Sequence, residues 1–212
     1  MHKELMRFNA YKRLNPNELT TQQLSKLEKE IQKPKKEIIT DEYYDFKLWC
    51  MELPSRQQRF ADLLLKRLPK TQGLKVLEVG CGRTAILSRI LSQKGFKMTC
   101  IDPKLELSYC EGIEGIKGEI DYKKIDRSYY DYVIAQEPCE ATEHVVRACI
   151  NQHKPFMISL CGVPHKLISG RTPKNVDEWY NYLVDISSNE IKLRYISLDP
   201  LGKTPILKSD YS

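Results

Sequence analysis

Long apolar runs are missing from this sequence. None of its 212 residues belong to a stretch of the roughly 18–20 apolar residues that would span a bilayer. The N-terminus, Met1-His-Lys-Glu, lacks the apolar core of a secretory signal. Cysteine is present but never in metal-finger spacing. The seven cysteines form no C-x₂-C pair and no H-x₃-H pair accompanies them, so no dedicated metal site is expected. An odd number of thiols scattered through apolar segments points to reduced cysteines and a cytoplasmic protein. Internal repeats and low-complexity segments are absent as well.

What is present is an ordinary globular composition, 41% apolar and 29% charged. The length suffices for one α/β domain with an appendage, not for two full domains. Lys and Arg total 34 against 28 acidic residues, a net charge of +6. That balance is compatible with a nucleic-acid partner without requiring one.

The organising stretch is residues 74–102. An apolar run over 74–79 stops at Gly80-Cys81-Gly82, as a buried strand does when it ends in a tight turn. Ile86, Leu87, Ile90 and Leu91 then recur at helical spacing within 83–94, and Gly95 supplies the stop. A second strand follows over 97–101 with Asp102 at its end. Glycines in such a turn let the backbone approach a ligand closely. An acid at the end of the next strand accepts bonds from ribose hydroxyls. Gly80-x-Gly82-x-x-Ala85 satisfies the dinucleotide fingerprint, with Asp102 about 20 residues on, so an NAD-dependent oxidoreductase is one reading.

Residues 1–70 read as a separate helical segment. Leu24, Leu27 and Ile31 share a face between Pro16 and Pro34, and a basic run occupies 33–36. Thr40 opens a helix holding Phe46, Trp49 and Cys50. Ser55-x-x-Gln58 forms a capping box ahead of the stripe Phe60, Leu63, Leu64 and Leu68. From residue 71 onward strands and helices alternate. A short helix is expected over 103–111 and a third strand over 113–120. The fourth strand spans 130–135, with a helix over 145–150, and the fifth spans 154–160 before a helix over 175–186. A terminal pair covers 190–198 and 204–208 around Asp199-Pro-Leu-Gly202.

Glu78-Val-Gly80-Cys-Gly82 resembles motif I of the class I S-adenosylmethionine (SAM) dependent methyltransferases, with an acid two residues before the first glycine. The resemblance implies a Rossmann-like α/β fold: a seven-stranded, mostly parallel sheet with helices on both faces and an N-terminal helical cap. It implies SAM as cofactor, held by Glu78, Gly80, Cys81, Gly82, Asp102 and Gln136. Gly118-Glu119-Ile120 stands where the family has an acid for the adenine amino group, which assigns Glu119 to that role. Residues 130–135 resemble motif IV and run into Gln136-Glu137-Pro138-Cys139 at the same cleft.

Enzymes of the family that methylate base nitrogens carry Asp/Asn-Pro-Pro-aromatic in that loop. Here one proline is kept and the aromatic is lacking. Cys139-Glu-Ala141-Thr142-Glu143 and Leu160-Cys161-Gly-Val-Pro-His165 are instead similar to segments of a group including tRNA 2′-O-methyltransferases. The basic balance, the run at 33–36 and this resemblance together make RNA the expected acceptor, with a small metabolite as the alternative. A SAM-fold protein that binds without catalysing is a third reading. Glu137, Glu140, Glu143, His144 and His165 are the titratable residues of the loops. Glu137 and His165 are taken as the catalytic pair, His165 because histidine titrates near neutrality.

Overall fold

The computed structural model of the protein describes residues 2–14, 20–32, 50, 54–69, 73–107, 112–123, 129–187, 191–199 and 202–209. The chain divides into two compact units, Met1–Ser55 with Asp199–Lys203, and Arg56–Leu198 with Thr204–Ser212.

In the first unit, helix α1 (His2–Leu14) and helix α2 (Thr21–Gln32) share a small apolar core of Phe8, Tyr11, Leu27 and Ile31. The expected i, i+4 pairing of Leu27 and Ile31 builds one side of it; Phe8 and Tyr11, three apart on α1, build the other. Thr20 and Gln23 form a reciprocal capping box. The Gln23 backbone N–H donates to Thr20 Oγ1 at 3.3 Å, and the Thr20 N–H donates to Gln23 Oε1 at 2.9 Å. The basic run at 33–36 and, Cys50 aside, the expected helix over 41–50 lie outside the described residues.

The second unit begins with α3 (Arg56–Arg67), which the sequence reading grouped with the segment before residue 70. Its stripe decides otherwise. Phe60, Ala61, Leu64 and Leu68 are buried in one cluster with Val76, Leu87, Leu91, Met98, Ile134 and Met157. Truncating a fully buried leucine such as Leu64 to alanine costs about 2–5 kcal/mol, so α3 is integral to the sheet's core.

Strands β1 (Lys75–Val79), β2 (Lys97–Asp102), β3 (Ile113–Lys117), β4 (Tyr132–Gln136) and β5 (Phe156–Ser159) are parallel in the order β3-β2-β1-β4-β5. The sheet continues with β7 (Gly202–Ser209) and then β6 (Ile191–Asp199). β7 runs antiparallel to β5, with Ile158 opposite Leu207. Alternation sorts the side chains. Val76, Ile134 and Met157 face α3 and α4 (Ile86–Ser92). Leu77, Val79, Val133, Ala135, Phe156 and Ile158 face α5 (Ala141–Ile150) and α6 (Val176–Ile186), which contribute Val145, Val146, Cys149, Trp179 and Leu183. Helices therefore cover both faces. The arrangement is the expected Rossmann-like α/β plan, a mostly parallel sheet between two layers of helices.

One expected element gives way to a turn. After β2 the chain makes a turn at Pro103 and Lys104 rather than entering a helix, and residues 108–111 lie outside the described set. The Lys104 N–H donates to Asp102 Oδ1 at 2.7 Å, and the Leu105 N–H to the Asp102 carbonyl at 3.2 Å. The Asp102 side chain thus competes successfully with helical bonding. Among the described residues no helix is long and apolar enough to cross a membrane.

Candidate active site

The strand order reverses its direction of growth between β1 and β4, and open α/β sheets take ligands at such a point, off the C-terminal strand ends. Register brings the expected residues to that edge. Val79 lies beside Ile101 on one side and Ala135 on the other, so the Gly80 turn is flanked by Asp102 and Gln136. Gly80 and Cys81 both donate N–H to the Ile101 carbonyl, at 2.9 and 3.4 Å. Gly82 donates its N–H to Asp102 Oδ2 at 2.9 Å. With Lys104 on Oδ1, each Asp102 carboxylate oxygen accepts one backbone N–H and keeps lone-pair capacity for another donor.

The two glycines differ in what their missing Cβ leaves room for. Both have positive φ, 72° and 70°. A Cβ on Gly80 would lie 3.1 Å from Pro138 Cα and Cβ, whereas one on Gly82 would meet nothing within 4 Å. Gly80 is therefore required where the β1 loop packs on the β4 loop. Gly82 leaves open space. Ala85, third small residue of the fingerprint, is buried with φ 47° immediately before α4.

Glu78 was expected to bond a ligand or the loop. In the structure its partner is on the helix that follows the turn. As a strand residue it alternates onto the face shared by Val76, where α4 covers it, leaving it 2% exposed. Ser88 Oγ donates to its Oε2 at 2.5 Å. Burial pushes the carboxyl up to about 7 against the lowering effect of the Ser88 bonds, and the nearby Asp102 charge adds to the rise. Cys81, also expected at the ligand, has its thiol raised by contact with the Cys100 thiol and by partial burial.

Glu119 is exposed, one residue beyond Gly118, whose N–H donates to the Asp102 carbonyl at 3.2 Å. The structure thus brings its backbone beside Asp102. Gln136 is half-buried at the end of β4, opposite Ser159.

The β4–α5 loop carries backbone strain. Glu137 and Cys139 both take positive φ, 53° and 49°, a region that non-glycine residues enter at a cost of roughly 1–2 kcal/mol. The loop is held there by the Glu137 N–H donating to the Ser159 carbonyl at 2.7 Å and by an ion pair from Arg56 Nη1 to Glu137 Oε1 at 2.6 Å. Glu137 is accordingly not a free carboxylate. Arg56 was invisible as a site residue in the sequence, since nothing local links it to a loop 81 positions away.

The β5–α6 loop joins on the other side. Cys161 Sγ lies 3.4 Å from Cys139 Sγ, and the His165 N–H donates to Glu140 Oε1 at 3.2 Å. His165 is exposed, and its carbonyl accepts from Thr172 Oγ1 at 2.7 Å. Glu143 and His144 belong to the scaffold. Glu143, 1% exposed, accepts from Arg147 Nε at 2.8 Å, Tyr182 Oη at 2.5 Å and the Ile168 N–H at 2.8 Å. Burial would raise its pKa, but these donors win and hold it below the usual carboxylate range. His144 Nδ1 accepts from the Tyr122 N–H at 3.4 Å, pinning the segment after β3 to α5.

No protein-family model matches the sequence, and no curated protein does. The structure is similar to several solved ones. The 1,6-didemethyltoxoflavin-N1-methyltransferase of Burkholderia thailandensis aligns with a TM-score of 0.47 at 14% identity, covering 78% of this chain and 81% of that one. A S-adenosylmethionine dependent methyltransferase of Mesorhizobium loti gives 0.46 at 14%, covering 73% and 96%. Phosphoethanolamine N-methyltransferase 2 of Haemonchus contortus, in complex with S-adenosyl-L-methionine, gives 0.45 at 15%, with 65% of this chain spanning only 38% of that protein. At these identities the likeness concerns the fold alone.

Proposed function

We propose that this chain is a SAM-dependent methyltransferase of the cytoplasm whose acceptor is RNA. The observation that carries the reading is the pairing of the Gly80–Gly82 turn with Asp102 at the switch point of the sheet, Gly82 N–H on Asp102 Oδ2 at 2.9 Å. The residues fit the cofactor. The open space over Gly82 admits the methionine portion. The remaining lone pairs of Asp102 accept the two ribose hydroxyls, Glu119 takes the adenine amino group, and Cys81 lines the turn. Glu78 acts from behind, fixing α4 to β1 through Ser88.

SAM supplies a sulfonium methyl group, and transfer from it asks the protein for in-line positioning and a proton acceptor. Gln136 adds to the cofactor's contacts, and Glu137 orients the acceptor through the oxygen not held by Arg56. His165 takes the proton. The RNA reading rests on the +6 charge and on the similarity of the two loop segments to tRNA 2′-O-methyltransferases. A small acceptor is the second reading, favoured by the acidic character of the β4–α5 loop, where Glu140 is exposed and would repel phosphates.

Thermal stabilisation by SAM, S-adenosylhomocysteine and NAD at equal concentration tests the cofactor. A ligand at a hundredfold excess over its dissociation constant adds about 2.7 kcal/mol. Stabilisation by NAD alone would transfer the site to the oxidoreductase reading. Labelled methyl groups from SAM should then enter RNA. Label found only in a small-molecule fraction decides for the metabolite.

A further inference from the structure

The thiol pair at the ends of β4 and β5 is used by none of the steps above. Cys139 is exposed, Cys161 is half-buried, and their sulfurs lie 3.4 Å apart. β4 and β5 are hydrogen-bonded neighbours up to Gln136 and Ser159, and the Glu137 N–H extends the ladder one step further. Only a few residues of chain on each side separate that fixed ladder from the two sulfurs. The contact is therefore imposed by the sheet and does not depend on a long flexible loop. Cys139 reaches it from a left-handed backbone conformation that the Thr142 N–H, donating to the Cys139 carbonyl at 3.1 Å, helps to fix. A second pair, Cys81 and Cys100, touches nearby, but Cys100 is fully buried beneath Ala85 and Leu105, out of reach of a solute oxidant.

We propose that Cys139 and Cys161 form a reversible covalent modification site, a vicinal dithiol that low-molecular-weight disulfides such as glutathione disulfide oxidise to an intramolecular disulfide joining the β4–α5 and β5–α6 loops. Cys139 attacks first, because it is the exposed sulfur. Burial and the neighbouring thiol push Cys161 up to about 12, so it contributes little thiolate of its own. The Cys139 thiolate breaks the glutathione S–S bond, forming a mixed disulfide and releasing one glutathione, which takes the Cys139 proton. Cys161 then attacks the Cys139 sulfur, displacing the second glutathione, which takes the Cys161 proton. Two thiols are oxidised and one disulfide is reduced to two thiols, so atoms and electrons balance. Closing the pair needs the sulfurs to approach from 3.4 Å to about 2.05 Å, within reach of side-chain rotation.

The site does not depend on methyl transfer, though under that reading the bond ties together the two loops that carry Glu137 and His165. Full-length reduced protein is incubated with glutathione disulfide, its remaining thiols are alkylated, and intact mass and peptides are measured. The expected product is lighter by two hydrogens before alkylation and yields a 139–161 cross-linked peptide, while Cys81 and Cys100 are still thiols. Cys139→Ser and Cys161→Ser should each retain a glutathione adduct or none, and never lose two hydrogens. The oxidised wild type should also melt higher than the reduced form, a rise absent in Cys139→Ser. Both thiols recovered alkylated, or a cross-link mapped to Cys81–Cys100, would overturn the assignment. A cross-link that forms in a protein unable to bind SAM supports the dithiol and refutes the methyltransferase reading instead.

Discussion

Replacing Glu78 by glutamine isolates the energetic cost of one buried acid. Raising its carboxyl from 4.5 to about 7 means that ionising it in the folded protein costs about 3 kcal/mol, at about 1.4 kcal/mol per pH unit. The folded pKa lies above the unfolded one. The contribution to stability is thus fully present below pH 4.5 and is lost as pH rises through about 7. Glutamine keeps a carbonyl for the Ser88 hydroxyl but adds a buried NH₂ group, costing about 1–2 kcal/mol if unpaired. Glu78→Gln should accordingly be less stable than wild type at pH 5 and more stable at pH 8–9, by about 1–2 kcal/mol, with a crossing between. Urea unfolding followed by Trp179 fluorescence in a Trp49→Phe background reads the sheet unit directly, because Trp179 is 1% exposed in its core. A difference between variant and wild type that stays constant from pH 5 to pH 9 would refute the reasoning, since Glu78 would then be ionised throughout. Asp102→Asn offers a check within the same assay. It removes a neighbouring negative charge and should move the crossing to higher pH in the variant pair, as ionisation of Glu78 becomes cheaper.

The other expectations concern the loops. Asp102→Ala strips acceptors from the Gly82 and Lys104 N–H groups as well as from the ligand, so SAM affinity measured by calorimetry should fall by roughly 2–4 kcal/mol; an affinity within threefold of wild type would remove Asp102 from the site. Gly80→Ala should destabilise by more than the roughly 1–2 kcal/mol of positive-φ strain because Pro138 blocks its Cβ, while Gly82→Ala should cost only that strain yet abolish SAM binding. Equal melting temperatures and equal SAM affinities for the two variants would contradict that division of labour. Glu143→Gln removes the charge facing Arg147 and should cost about 2–4 kcal/mol. Because its folded pKa is lowered, the wild-type contribution is present above about 4.5 and is lost as pH falls through the folded value. The variant's urea midpoint should therefore approach wild type in acid and diverge toward neutrality.

Periodicity and punctuation made most of the sheet unit legible. Runs of apolar residues stopping at Gly80, at Asp102 and at Gln136 mark strand ends, and those ends frame the candidate site. The alternation of β1 places Glu78 on the α4 face with Val76, and both that alternation and Ser88 on the helix are legible in the sequence. The helix expected after Asp102 was lost to an acid that bonds its own following backbone, a competition that apolar spacing does not register. Arg56 could not have been assigned from sequence, because its partner Glu137 is brought near only by the tertiary fold. Nor could the strain at Glu137 and Cys139, since neither residue type announces a left-handed conformation.

The loops at this edge satisfy one another before any ligand arrives. Gly82 is bonded to Asp102, Asp102 to Lys104, Glu137 to Arg56, and the His165 backbone to Glu140. Such bonds would compete with a ligand if they consumed the acceptors it needs, and at Asp102 they do not. Each oxygen takes one N–H, in a direction set by the loop backbone, and keeps capacity for a second donor. The acid is thus aimed by the same contacts that fix the glycine turn. A ligand that uses it avoids the roughly 0.5–1.5 kcal/mol per side chain otherwise spent on ordering at an interface. At Glu137 the balance differs. Its ion pair is partly exposed and worth about 1 kcal/mol or less, while its backbone strain is of the same order or larger. The β4–α5 loop is therefore the element of this edge that rearranges most cheaply. Asp102 and Gly82 form the rigid half of this edge, and the Glu137–Cys139 segment forms the adjustable half.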